Sequence, residues 1–190
     1  LDMGTKAKTR LDARSIKRRE QLSYARNCAA EKHREMKRER IKKLKKDVDR
    51  TYTYVLGTDR KYLEIALAML YVGEGGKTRH GLRLGNSDPQ IIRFYINSLF
   101  VLYGIPKNKY RVELHLRADQ NEETMRAYWS KETGIPLERF RYILKDKRTV
   151  GRPTYASYRG VCSVSGGGVE IQRRLLYLAE VLCLGSFMRG

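Results

Sequence analysis

A carboxylate closes the apolar segment LAMLYVGEG, which runs from Leu67 to Gly75. Glu74 lies there between two glycines, after six apolar residues and one glycine. Carboxylate oxygens are the ligands that hard divalent cations prefer in proteins, so an acidic residue in this position can hold a metal ion. The alternative is a residue without chemical function, at the C-terminal end of a helix that the glycine stops.

The other residue types that carry out chemistry show no catalytic or metal-binding spacing. The three cysteines, Cys28, Cys162 and Cys183, form no CxxC pair, and their odd number supports neither a disulfide framework nor a zinc finger. The three histidines show no metal-ligand spacing, and HExxH and P-loop motifs are absent from the sequence. We therefore interpret the cysteines as unreactive thiols in a reducing compartment.

The charge balance indicates a polyanionic partner. Lys and Arg number 40 against 21 Asp and Glu, which gives a net charge of +19 over 190 residues. Such an excess attracts polyanions and makes association salt-sensitive, so nucleic acid is favoured over an anionic membrane surface. No apolar run approaches the ~18 residues of a membrane-spanning helix, and the start of the sequence is too charged for a signal peptide. We expect a cytoplasmic protein that does not associate with membranes.

Residues 1–57 are predicted to form a basic helical arm. No Pro or Gly occurs from Thr5 to Leu56, and apolar residues recur within this stretch at helical spacing. We predict one long basic helix, or two helices, ending at Gly57. This arm is either a solvated charged segment or a surface that lies on phosphates.

Residues 58–190 are predicted to form a separate α+β domain. Asp59 is placed to N-cap a helix that runs to Gly73, and Asp88 followed by Pro89 is a typical start of a second helix. Alternating polar and apolar residues in YRVELHLR predict a half-buried strand. The predicted order is helix, strand, helix, strand, helix, strand, strand, helix, with the helices on one face of a mostly antiparallel sheet.

The acidic segment matches the LAGLIDADG nonamer at Leu67, Ala68, Leu70 and Gly75. Glu74 stands where that motif has its last Asp, and Met69 stands where it has Gly. The segments NSDPQIIRFYINSL, RVELHL, YWSKETGIPLERF and YRGVCSV follow in order. From residue 60 to residue 185 the chain resembles the LAGLIDADG homing endonuclease superfamily, and within it a group of bacterial proteins with one motif per chain. The basic arm has no part in this resemblance.

The resemblance implies a DNA-binding saddle that two chains build together. The motif helices of two copies pack side by side on a two-fold axis in this family. One motif per chain therefore implies a homodimer on a roughly palindromic site in double-stranded DNA. The interface residues that the resemblance implies are Leu67, Ala68, Leu70, Tyr71 and Gly73.

The resemblance also implies the chemistry of the site. Glu74 and Gly73 are then ligands of Mg²⁺ or another divalent cation, which activates water and stabilises the leaving oxygen. Glu is one methylene longer than Asp, so the metal position differs by about an ångström, which matters for an in-line attack. Family enzymes often carry a basic residue near the metal, and Lys145 or Lys147 can fill that role.

A saddle needs a polar sheet face toward DNA, and strand alternation supplies one. The predicted DNA-binding residues on strands are Arg79, Arg83, Arg111, Glu113, His115, Arg117 and Arg159. Those in flanking turns are Lys77, Arg148 and Arg152. In the last strand Arg159 shares a side with Ser163, although Tyr158, Gly160 and Cys162 form an alternative outward set. Arg on such a face reads base edges and Lys in loops holds phosphates, unless these charges are simply solvated.

We predict a metal-dependent, site-specific endonuclease of double-stranded DNA that acts as a homodimer in the bacterial cytoplasm. The alternative is a LAGLIDADG-like protein without cleavage, either a DNA-binding transcription regulator or an RNA-splicing maturase. Glu74 favours the enzyme, because a protein that only binds gains nothing from an acid close to phosphates. A third hypothesis is a structural nucleic-acid protein whose arm packs onto RNA without metal or sequence preference.

Overall fold

The computed structural model describes residues 3–77 and 81–185 and divides the chain into two compact units, residues 1–57 and 58–190. The first unit consists of helix α1, whose bounds are Met3–Thr58. Every side chain from residue 16 to residue 52 is exposed, including the apolar side chains of Leu22, Ile41 and Leu44. The apolar side chains of residues 16–52 therefore do not form a buried core within this unit.

The second unit alternates helices and strands. Its helices are α2 (Arg60–Glu74), α3 (Pro89–Tyr103), α4 (Glu122–Thr133) and α5 (Val169–Leu184). Its strands are β1 (Arg83–Asn86), β2 (Arg111–Arg117), β3 (Phe140–Asp146) and β4 (Val161–Ser165). Short 3-10 turns occupy Lys107–Lys109, Leu137–Arg139 and Lys147–Thr149. The α+β class predicted from the sequence is confirmed.

Two of the helices begin where the sequence predicts. The carboxylates of Asp59 and Asp88 accept hydrogen bonds from the backbone N–H groups of Lys61 and Gln90, both at 2.8 Å. These bonds satisfy donors that the first turn of a helix otherwise leaves free. At its other end α3 stops at Gly104, which has a φ of +68° and provides the left-handed residue that commonly ends a helix.

The sheet is mixed, in the order β1-β4-β2-β3. Strand β4 is antiparallel to β1 and to β2, whereas β2 and β3 are parallel. Helix α4 connects these two strands. It returns the chain to the end of the sheet where β2 begins, because a parallel pair needs such a crossover connection. Two of the three strand pairings are antiparallel, in agreement with a mostly antiparallel sheet, and the parallel β2–β3 pair makes the sheet mixed. The sequence did not indicate the parallel pair, because alternation tells which side chains share a face and not which way the neighbouring strand runs.

One face of the sheet packs on the helices to form the core. Strand β2 contributes Val112, Leu114 and Leu116, which are at most 2% exposed, so the predicted half-buried strand is confirmed. Buried helical residues of the same cluster are Leu67, Ala68, Tyr71, Ile92, Tyr95, Ile96, Leu99, Met125, Trp129, Leu175 and Ala179. The helices therefore cover the apolar side of the sheet, and the other side remains open within this unit.

An ion pair at the edge of the core ties three helices together. Glu64 of α2 accepts hydrogen bonds from Nε and Nη2 of Arg174 on α5, the second at 3.1 Å. The hydroxyl of Tyr103 on α3 donates to the same carboxylate at 2.7 Å. The Arg174 hydrogen bonds lower the pKa of Glu64. The carboxylate thus stabilises the fold only while it is ionised.

We expect Glu64→Gln to lower the free energy of unfolding by about 1–2 kcal/mol near neutral pH, since it weakens hydrogen bonds to a charged group. Because the pKa of Glu64 is lower in the folded chain, its contribution is present above the unfolded pKa and is lost as the pH falls through the folded pKa. Urea unfolding at about pH 7 and about pH 3 measures this loss in the free energy of unfolding. The control is Glu180→Gln, because Glu180 is an exposed residue of α5. An equal loss at both pH values contradicts the pairing.

Candidate nucleic-acid interface

The face of the sheet opposite the core carries charged and polar side chains. Strand register places Arg83 of β1 and Arg111 of β2 on either side of Ser165 on β4. In the next row on this side, Glu113 lies opposite Ser163. We call this surface the open face, and its residues are Arg83, Gly85, Arg111, Glu113, His115, Arg117, Tyr142, Leu144, Asp146, Val161, Ser163 and Ser165.

Glu113 lies in the middle of the open face and contacts an arginine and a histidine. Its carboxylate is 3.0 Å from Nη2 of Arg83 and 2.7 Å from Nε2 of His115. Nε of Arg83 also donates to Oγ of Ser163 at 2.8 Å. Arg83 lies on β1 and Glu113 on β2, and both strands are neighbours of β4. The strand order therefore allows the two side chains to pair across β4. The structure thus assembles three of the predicted residues, and the acid offsets part of the surrounding positive charge.

The loop between β3 and β4, residues 147–160, is tied to the turn between β2 and α4. The backbone N–H of Thr154 donates to Asp119 at 2.7 Å, and the Thr154 hydroxyl donates to the same carboxylate. These hydrogen bonds lower the pKa of Asp119. Nη2 of Arg117 donates to the carbonyl of Arg152 at 3.0 Å. Two predicted binding residues therefore lie side by side at one end of the open face.

Three further basic residues near β3 lie in different surroundings. Arg148 pairs with Asp146 through Nε at 2.9 Å and Nη2 at 3.1 Å, and this pairing lowers the pKa of the Asp146 carboxyl. Lys145 shares a side with Leu116 and therefore points toward the helices, where its Nζ is 3.6 Å from Glu122 of α4. Lys147 is exposed, and no ion pair joins it to another described residue.

Arg159 does not lie on the open face. Strand β4 begins only at Val161, after Gly160 turns the chain with a φ of +76°. The Arg159 guanidinium lies 5.5 Å from the centre of the Tyr128 ring, which belongs to α4. The prediction that Arg159 and Ser163 share a side is wrong, because the strand is shorter than the alternation suggested.

The remaining predicted residues are Cys162, Lys77 and Arg79. Cys162 is fully buried in the core, so the alternative outward set that contains it is also wrong. Lys77 is exposed, three residues past the end of α2. Arg79 lies outside the described residues.

Glu74 is the last residue of α2, and its carboxylate is exposed. Nδ2 of Asn86 on β1 lies 3.4 Å from it. The next residue, Gly75, pairs with Leu84 in an isolated antiparallel bridge, so the acid is held at the β1 edge of the sheet. A Cβ on Gly75 would lie 2.5 Å from the ring of Tyr71, so any larger residue at position 75 would clash with that ring.

A polar network fixes the turn that follows Glu74. The Tyr71 hydroxyl donates to the Gly76 carbonyl at 2.6 Å. Nε2 of Gln172 on α5 donates to both of these oxygens at 3.1 Å. Burial raises the pKa of Tyr71, which keeps its hydroxyl a donor. The carboxylate therefore projects from a backbone that two helices hold in place.

The exposed side of α2 differs from the predicted dimer interface. Leu67, Ala68 and Tyr71 are fully buried in the core of their own chain, so they cannot contact a second copy. This correction follows from the fold, since α2 must cover the sheet with one of its faces. Leu70 is half-buried, whereas Gly73 is exposed, and a Cβ added to Gly73 would meet open space.

The side of α2 that faces away from the core forms a stripe at helical spacing. Its residues are Tyr62, Ala66, Met69 and Gly73, which follow one another at intervals of four, three and four residues. Met69 is 42% exposed and Tyr62 is 48% exposed, while Ala66 is half-buried. Small and apolar side chains thus alternate along the surface of α2 that its own chain leaves available.

Within one chain the predicted catalytic residues do not meet. Glu74 lies at the β1 edge of the sheet, whereas Lys145 belongs to β3 and Lys147 follows it at the opposite edge. Three strand spacings of ~4.8 Å separate the two edges, which amounts to ~14 Å. Among the described residues, no group of three or more His, Cys, Asp or Glu side chains is placed to hold a metal ion. A single chain therefore offers Glu74 as an isolated acidic ligand.

Sequence reasoning missed the exposed aromatic and apolar side chains beside these cations. On the open face Tyr142 is 63% exposed and Leu144 is 53% exposed, and Tyr155 of the neighbouring loop is 81% exposed. A signal was present, since YILKDKRTVGRPTYASYR intersperses tyrosines with basic residues. This combination is typical of surfaces that stack bases and hold phosphates.

No family model, no curated protein and no solved structure matches this chain. No described helix has the length and apolar character needed to cross a membrane. The site is therefore defined by its own residues and their geometry.

Glu113→Gln tests whether the open face holds nucleic acid. The change removes a negative charge and releases Arg83 and His115 for phosphate contacts. We therefore expect ~3–10-fold tighter binding of nonspecific duplex DNA, with a salt dependence steeper by about one ion. Fluorescence anisotropy over a salt series measures both quantities.

The matched control is Glu138→Gln, which removes an exposed acid from the 3-10 turn Leu137–Arg139. It changes the net charge equally and leaves the open face intact. An unchanged affinity in Glu113→Gln, or the same gain in both variants, would show that the open face is not the binding surface.

Proposed function

We propose that this chain is a metal-dependent, site-specific endonuclease of double-stranded DNA that acts as a homodimer. The observation that carries the proposal is the position of Glu74, an exposed carboxylate at the edge of a sheet whose open face is rich in cations. Phosphates bound along that face bring a scissile bond toward an acid that the Tyr71 network holds in place. A surface that only bound polyanions would not gain from this carboxylate.

The open face supports binding of nucleic acid. Arg111 is exposed and has no ion pair with another described residue, while Arg83 and His115 share the carboxylate of Glu113. Arginine can contact both phosphate oxygens and the edges of guanine, so such a face combines affinity with sequence preference. Arg117 and Arg152 extend the cationic surface at one end.

Two copies of the chain are needed for the metal site. One chain offers a single carboxylate, and Gly73 beside it leaves space for a close neighbour. The exposed stripe of α2 allows a second α2 to approach around a two-fold axis, which would place two Glu74 carboxylates together. Two such acids repel one another unless cations lie between them, so the paired arrangement fits a divalent metal ion.

In that dimer, the Glu74 carboxylates and the Gly73 carbonyls would hold Mg²⁺ or another divalent cation. When bound, the metal supplies activation of water and neutralisation of the leaving oxygen. The residues of the chain orient the substrate: the open face fixes the phosphates, and the Tyr71–Gln172–Gly76 network keeps the Glu74 turn rigid. Rigid placement matters because small displacements of a reacting group slow an in-line attack strongly.

The second candidate is a protein that binds DNA or RNA without cleavage, as a transcription regulator or a splicing maturase does. The observation that favours it is Met69, a long side chain on the exposed stripe where close packing of two helices would suit a small residue. A wider separation of the two helices moves the carboxylates apart and leaves binding intact. Cleavage and binding therefore need to be measured separately.

Cleavage of a plasmid library with Mg²⁺ compares the wild type with Glu74→Gln. We expect the substitution to reduce cleavage at least ~100-fold and to leave DNA binding unchanged or tighter, because it removes a metal ligand and a negative charge. Glu180→Gln is the control, since Glu180 is exposed on α5. Equal cleavage by wild type and Glu74→Gln would rule out the metal-ligand role. A gel shift without cleavage by either protein would favour the second candidate.

Sedimentation velocity tests the dimer. We expect the wild type to sediment as a dimer and Met69→Lys as a monomer, because the substitution places a like charge from each copy at the two-fold contact. Phe100→Lys is the matched control, as Phe100 is 56% exposed on α3 and lies off the stripe. A wild type that stays monomeric on DNA would remove the dimer, and with it the paired metal site.

A further inference from the structure

A cavity of about 370 Å³ lies at one end of the sheet. It is found where Arg83 begins β1, Arg111 begins β2 and Ser165 ends β4. Lys109, in the 3-10 turn before β2, and the glycine turn before α5 complete its lining. The cavity is thus built by three separate stretches of the chain.

Two glycines allow these stretches to meet. Gly81 and Gly167 have φ values of +94° and +98°, which other residues rarely adopt. A Cβ on Gly81 would lie 3.0 Å from the carbonyl oxygen of Gly167, and a Cβ on Gly167 would lie 2.8 Å from the Leu82 side chain. The N–H of Gly166 donates to the Leu82 carbonyl at 3.1 Å, which joins the two loops. These two glycines and this hydrogen bond therefore hold together the two loops that form part of the lining.

The cavity concentrates positive charge. Arg83, Lys109 and Arg111 all line it, and no acidic residue does among the described ones. Arg83 already pairs with Glu113, whereas Lys109 and Arg111 have no ion pair with another described residue. Three cations less the Glu113 carboxylate leave two uncompensated positive charges. Helix α5 begins just beyond the glycine turn with no side-chain cap at Gly168, and its positive end adds to the same field.

This charge selects a particular kind of anion. A phosphodiester within a nucleic acid strand carries one negative charge, whereas a phosphomonoester carries about −1.5 to −2 near neutral pH. The second value matches the two uncompensated charges of the cavity. Arginine and lysine side chains also supply several donors, as many as a terminal phosphate with three free oxygens can use.

We propose that this cavity is a binding site for a phosphomonoester, and that its ligand is the terminal phosphate of a nucleic acid strand. The inference rests on the nucleic-acid-binding part of the proposed function. Arg83 and Arg111 belong to the cavity and to the open face, so the end of a strand that lies along the face can enter the cavity. A free mononucleotide carries the same group, and the test separates the two sources.

The test measures binding of one DNA duplex in three forms, with 5′-phosphates, with 3′-phosphates or with hydroxyls at all ends. The full chain is compared with Lys109→Gln/Arg111→Gln. We expect one phosphorylated form to bind wild type about tenfold tighter than the hydroxyl form, since charge-assisted hydrogen bonds are gained. The double variant should lose this preference to within about twofold. The matched control is Lys131→Gln/Arg173→Gln, which removes two exposed cations from α4 and α5 and should keep the preference.

Two results would overturn the strand terminus as the ligand: a wild type that binds all three duplexes equally, or a double variant that retains the preference while thermal unfolding shows it folded. The hydroxyl duplex reports separately on the open face, so its binding without any end preference would remove the strand terminus and leave the proposed function standing. Calorimetry with adenosine monophosphate decides the source. In one outcome each wild-type chain binds one molecule, the double variant binds none, and the duplexes show no end preference. That outcome would assign the cavity to a free mononucleotide and overturn the strand terminus as its ligand.

Discussion

The burial of Tyr71 is the constraint on which the candidate chemistry depends. Its ring lies in the core and excludes any side chain at position 75, while its hydroxyl joins the Gly76 carbonyl to Gln172 of α5. Helix α2 ends at Glu74, with the carboxylate outside the core and beside β1. A carboxylate on a frayed helix end would be free to turn away, whereas this one projects from a backbone that the core itself holds.

One strand alternation produces both the core and the open face. Every second residue of β2 packs against the helices, and the residues between them carry the charges. Arginines on β1 and β2 repel one another across β4, and Glu113 reduces that repulsion by pairing with Arg83, while it also contacts His115. Glu113 makes no ion pair with Arg111 or Lys109, so two positive charges remain uncompensated in the cavity at the end of the sheet.

Helix α2 meets two demands on its two sides. Leu67 and Ala68 face the sheet of their own chain, because a helix that covers a sheet has to bury one apolar face. What remains for a partner is the stripe that contains Met69 and Gly73, one of them large and the other without a side chain. Met69 is 42% exposed, so its side chain limits how closely another helix can approach this stripe.

Local chemistry in the sequence determined the α+β class, the caps at Asp59 and Asp88 and the two faces of β2, because capping and alternation act between residues close together in the chain. The alternation misplaced Arg159, since it does not tell where a strand begins. Only the tertiary structure decided that β2 and β3 are parallel, that Arg83 reaches Glu113 across β4, and which face of α2 is buried. These features arise from contacts between distant parts of the chain. Strand order and packing determine which of those residues meet, and the pattern along a single segment does not contain that information.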